Sequence, residues 1–80
     1  MPVQHARHHN LRMVLALLES EGIVGFAEQA EHLGNVTEGR LAAMANGGPI
    51  DVMFAEHVEW VFHRRKGWMD ELHKDDPLEA

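Results

Sequence analysis

The apolar positions change rhythm along the chain, and each change marks an element. Leu11, Val14, Leu15 and Leu18 recur at i, i+3, i+4 and i+7, with Leu17 at the margin, the stripe of a core-facing helix over about Arg7 to Ser20. Gly22 is its predicted stop, because the residue just past a helix commonly needs a left-handed backbone. Ile23, Val24 and Gly25 lead into a second helix, Phe26 to Leu33, in which Ala27, Ala30 and Leu33 share a face and Gly34 ends the run. Thr37 is placed to cap a third helix reaching Ala45, with Leu41 and Met44 on its apolar side, before Asn46-Gly47-Gly48-Pro49 closes the segment. Asp51 caps a fourth helix, Val52 to about Arg64, whose core face is Phe54, Ala55, Val58, Val61 and Phe62. Lys66-Gly67 interrupts it, and Trp68, Met69 and Leu72 make a short closing helix or turn with the indole folded over the first and fourth helices. The predicted fold is all-α: four helices and a short fifth in one compact domain over residues 1–80.

Both ends lack this patterning. Residues 1–7 read as a flexible arm, and HKDDPLEA, residues 73–80, reads as a polar tail with a proline in it. A chain of 80 residues with 45% hydrophobic content buries only about 60–65% of its unfolded surface, so a partner subunit would add needed core. Without cysteine there is no disulfide framework and no thiolate metal site. No apolar run approaches the roughly 20 residues of a membrane span, and MPVQHARHHN lacks the apolar stretch of a signal peptide. A cytoplasmic protein that does not enter the membrane is the expectation.

Charge complicates the picture. Seven Lys+Arg against 13 Asp+Glu give a formal charge of −6, the wrong sign for a generic nucleic-acid binder. From Gly22 to Phe62 the only Lys or Arg is Arg40, whereas Glu28, Glu31, Glu38, Asp51, Glu56 and Glu59 are acidic. Cations gather elsewhere: Arg7 and Arg12 with His5, His8 and His9, and Arg64-Arg65-Lys66.

Phe26 to Gly47, FAEQAEHLGNVTEGRLAAMANG, nonetheless reads as two short helices joined by a tight turn, with a small Ala30 for close crossing, Gly34 for the turn and Leu41 to pin the second helix. This stretch resembles the helix-turn-helix of the lambda-repressor/Cro family: Ala27, Glu28, Ala30, Leu33 and Gly34 match its first part, and Val36, Thr37, Leu41, Asn46 and Gly47 its second. Pro49-Ile50 and Gly67-Trp68-Met69-Asp70 resemble the ending of phage and prophage members, so the likeness runs from about Asn10 to Asp76. Three departures stand out. Asn35 looks like an insertion in the turn, Gln29 occupies a place usually apolar, and the recognition helix carries almost no DNA-reading side chains.

The resemblance implies a small prokaryotic or phage transcription regulator that binds double-stranded DNA; no cofactor is expected. The residues it would bring to the bases are Thr37, Glu38, Gly39, Ala42, Ala43 and Asn46; Arg40, Arg7 and Arg12 would supply the attraction to phosphates. Of these, Asn46 suits adenine, and Glu38 is restricted to cytosine N4. An acidic face forfeits the phosphate term that normally supplies much of the affinity. The alternative is a degenerate helix-turn-helix that binds a protein, as partner or antagonist of a regulator, and leaves DNA alone.

On the fourth helix, Met53, His57, Trp60 and Arg64 follow one stripe apart from the core face, a composition enriched at interfaces. It suggests a homodimer contact; the plainer reading folds Trp60 over the edge of a small core. The seven histidines do not by themselves make a metal site, since His5, His8 and His9 have no cysteine or carboxylate beside them. No Ser-His-Asp set, phosphate-cradling loop or inward carboxylate pair can be assembled, so catalysis is not expected.

Overall fold

The computed structural model describes residues 3–72. Four α-helices follow in order, α1 (Val3–Ser20), α2 (Phe26–Leu33), α3 (Glu38–Ala45) and α4 (Val52–Val61), and a single 3-10 turn, Trp68–Asp70, closes the described chain. Among these residues there is no strand, so the fold is all-α as the periodicity predicts. No helix among them is long and apolar enough to cross a membrane.

One core joins every element. Leu11, Val14, Leu15 and Leu18 of α1 meet Ala30 and Leu33 of α2, Leu41 and Met44 of α3, Phe54, Ala55 and Val58 of α4, and Ile50, Trp68 and Met69. α2 packs on α3, α1 packs on α3 and on the closing turn, and α4 also packs on that turn. Each fully buried aliphatic side chain contributes about 1.5–3 kcal/mol of transfer free energy, which is why the stripe positions decide the fold.

Three of the four helix ends, those of α1, α3 and α4, are fixed by backbone hydrogen bonds of one kind. After α1, Ile23 N–H donates to Leu18 C=O and Gly22 N–H to Glu19 C=O, with Gly22 at φ 88°. After α3, Gly48 N–H donates to Ala43 C=O and Gly47 N–H to Met44 C=O. After α4 the pattern returns: Arg64 N–H to Glu59 C=O, His63 N–H to Trp60 C=O. These are Schellman closures, which satisfy the carbonyls a helix end leaves unpaired. Thr37 and Asp51 cap the starts of α3 and α4, accepting from Arg40 N–H and Phe54 N–H.

The structure corrects the sequence reading in four places. Residues 3–7, read as a flexible arm, form the first turns of α1, because Gln4, Arg7 and His8 bond to the backbone of residues 48–50. α4 stops at Val61, not near Arg64, since His63 takes the left-handed conformation (φ 57°) in which a glycine would be expected. Phe62 is consequently only half-buried and Leu72 lies outside the closing turn. On α2, Ala27 is exposed while Gln29 is 1% exposed, its Nε2 donating to Ile23 C=O at 3.2 Å. The tail over residues 73–80 and residues 1–2 of the arm lie outside the described residues.

Candidate nucleic-acid interface

α3 is divided sharply into two sides. Leu41 is 0% exposed and Met44 is 2% exposed, whereas Thr37, Glu38, Gly39, Arg40, Ala43 and Asn46 are exposed and Ala42 is half-buried. The inner side pins the helix; the outer one carries mostly small side chains. Gly39 sits in the middle of that outer side. A Cβ built there would meet nothing within 4 Å, so the glycine answers no packing need of the domain itself. In a helix it costs about 0.5–1 kcal/mol relative to alanine.

The connection from α2 to α3 contains Gly34 at φ 76° and Asn35 at φ 62°. Asn35, the residue expected as an insertion, thus supplies a second left-handed step, which asparagine tolerates better than most residues. Thr37 then turns the chain back into the helix with an extended backbone (φ −89°, ψ 160°) and its side chain accepts from Arg40 N–H at 3.2 Å.

Electrostatics on this side are unfavourable to an anion. Glu28 and Glu31 on α2 and Glu38 on α3 are all exposed. Arg40 Nη2 lies 3.2 Å from Asp51 Oδ2, with both side chains about half exposed. Such a surface pair is worth about 0–1 kcal/mol, so its guanidinium is released to another acceptor at small cost.

Arg7 is not available in that way. Its Nε donates to Asp70 Oδ1 at 2.6 Å and its Nη1 to Ile50 C=O at 2.8 Å, and the side chain is 11% exposed. His8 Nε2 donates to Gly48 C=O at 2.6 Å, assigning that imidazole to the same clasp. Of the cations predicted to serve the phosphates, Arg12 and Arg40 remain on the surface and Arg7 is withdrawn.

The α4 stripe is only partly assembled. Met53 is 73% and Trp60 74% exposed, so the indole stands in solvent and does not fold over the core edge. Between them His57 is half-buried, its Nε2 donates to Leu33 C=O at 2.7 Å, and its ring lies 5.9 Å from that of Trp60. Arg64, predicted on the same stripe, falls beyond the helix end and places its guanidinium 5.9 Å from the Trp68 ring.

Three buried polar residues escape the sequence reading. Asn10 Nδ2 donates to the carbonyls of Met69 (2.9 Å) and Glu71 (2.7 Å) and approaches that of Trp68 (3.3 Å). Glu59 Oε2 accepts from Gly67 N–H (3.0 Å) and Met69 N–H (2.8 Å). Gln29 is the third. Helical spacing does signal two of them: Asn10 is one residue before Leu11, and Glu59 is one after Val58, both at the border of a core stripe. Comparison with protein-family models, with curated proteins and with solved structures finds no match.

Proposed function

We propose that the chain is a small DNA-binding regulator in which α2 and α3 form a helix-turn-helix and the outer side of α3 lies against double-stranded DNA. The observation that carries this reading is Gly39: an exposed mid-helix glycine with empty space around it is costly to the fold and useful only where something outside comes close. Ala42 and Ala43 beside it extend the low profile, and Asn46 supplies the one side chain suited to a bidentate contact with adenine. The resemblance to lambda-repressor-like proteins points the same way.

Charge sets the character of the binding. With Arg12 and Arg40 as the exposed cations of the predicted set, a protomer neutralises about two phosphates, and the log–log salt slope is about −2. Affinity is then modest and sequence choice rests on shape and on Asn46. The test is selection of duplexes from a random pool followed by salt-titrated binding of the wild type and Gly39→Ala. Gly39→Ala should bind at least several-fold more weakly while being more stable. No enrichment and no binding at low salt would overturn the reading.

A second reading is favoured by a specific observation: Glu28, Glu31 and Glu38 are all exposed, and there is no Lys or Arg from Met13 to Gly39. On that reading the same low surface of α3 meets a basic protein and DNA is not bound. The salt titration separates the two.

A further inference from the structure

Among the described residues five large hydrophobics are exposed, and three of them, Val52, Met53 and Trp60, lie on α4; Val3 and Val24 are elsewhere. Isolated exposed apolar side chains need no explanation, but a cluster on one helix does. His57, anchored by its bond to Leu33 C=O, places its ring beside the indole of Trp60.

We infer that this face of α4 is where two copies of the chain pair, antiparallel about a two-fold axis. Met53 and Trp60 are about two helical turns apart on one stripe. A two-fold axis passing midway, beside Glu56 and His57, sets each Met53 against the partner's Trp60 and each Trp60 against the partner's Met53, so one surface is its own complement. Thioether on indole is a favourable contact in its own right. Charge selects the direction. Asp51, paired with Arg40, marks the start of α4, and His63, Arg65, paired with Glu71, and the largely unneutralised Lys66 follow its end. Antiparallel pairing brings Lys66 toward the Asp51 end of the other copy, whereas parallel pairing would set Lys66 against Lys66. Lys66 reaches Glu56 only at 3.9 Å and its side chain is 87% exposed, leaving it able to neutralise the two Glu56 carboxylates near the axis or to bond across it.

One helix face is a small interface, below the roughly 800 Å² per partner of a standard complex, so the association is sought over a wide concentration range. The inference does not rest on α3 meeting DNA. Sedimentation equilibrium of the full chain, from low micromolar to millimolar concentration, should show a monomer–dimer equilibrium. The double variant Met53→Glu with Trp60→Glu should weaken it at least tenfold with unchanged helical circular dichroism, and Val24→Glu should leave it as it is. Because the chain has no cysteine, Glu56→Cys should oxidise to a covalent dimer faster than Glu19→Cys, and this decides the matter if the double variant fails to fold. A wild type monomeric throughout the range, which would give the face to a different protein, overturns the inference. So does a dimer untouched by the double variant, or cross-linking at Glu56→Cys no faster than at Glu19→Cys.

Discussion

Glu59 of α4 accepts, through a single carboxylate oxygen, the backbone N–H of Met69 at 2.8 Å, and does so while only 4% exposed. The same oxygen takes Gly67 N–H at 3.0 Å, so one side chain satisfies two donors at the start of the closing turn. An acidic residue at the border of the α4 core stripe is thus what ties Trp68 and Met69 to the core. Glu59→Ala should cost about 2–3 kcal/mol, since it strands two amides and removes charge-assisted bonds. Urea unfolding checks the magnitude. A Trp68 emission that shifts to the red in the folded variant would show the turn released.

Leu41→Ala should cost about 2–5 kcal/mol, because the side chain is 0% exposed and the helix it anchors is short. Loss of less than about 1 kcal/mol would mean that the site collapses around the cavity, and would weaken the view that α3 is pinned from one side.

Glycines on either side of the α3 terminus should respond in opposite ways. Gly39→Ala is expected to stabilise by about 0.5–1 kcal/mol, having open space for its methyl group. Gly48→Ala is expected to destabilise by about 1–3 kcal/mol, since its Cβ would lie 2.8 Å from Ala43 O. Thermal unfolding of the two variants side by side is the check.

On the proposed DNA-binding function, Arg7 and Arg12 should separate stability from binding. Arg7→Ala removes an ion pair to Asp70 and a bond to Ile50 C=O, so its effect should be on stability, about 1–3 kcal/mol, with the salt slope of DNA binding unaltered. Arg12→Ala should leave stability within about 0.5 kcal/mol and reduce the slope by about 1 if Arg12 meets a phosphate. A slope that falls with Arg7→Ala instead would mean that Arg7 leaves Asp70 to reach DNA.

Much of the fold was legible because apolar spacing and end-capping chemistry agree. The stripe from Leu11 to Leu18, the stop at Gly22, the caps at Thr37 and Asp51 and the packing of Trp68 against α1 and α4 all stand where the pattern puts them. What was not legible involves partners distant in sequence. Gln4 bonds both the N–H and the C=O of Ile50, at separations that no local window spans, and this is what makes a helix of residues that have no apolar rhythm. Asn10, Gln29 and Glu59 were missed for a related reason: a polar residue counts as exposed until its buried backbone partner is known. Of the candidate site, the exposed side of α3 was readable, while the withdrawal of Arg7 and the diversion of Arg64 to Trp68 depended on Asp70 and on a helix end set by a left-handed histidine.

The clasp formed by Gln4, Arg7, His8 and Asn10 has a consequence for the order of events in folding. Its hydrogen bonds join positions 40 to 63 residues apart, so they form only after the intervening chain has been brought together, and they give nothing back to the nucleus that does so. Substitutions there should accelerate unfolding and leave the refolding rate nearly unchanged, while Leu41→Ala and other substitutions where α2 meets α3 should slow refolding. On a stopped-flow chevron the clasp would appear in the unfolding limb alone. It would act as a latch that sets how long the native state lasts, with little influence on how fast it is reached.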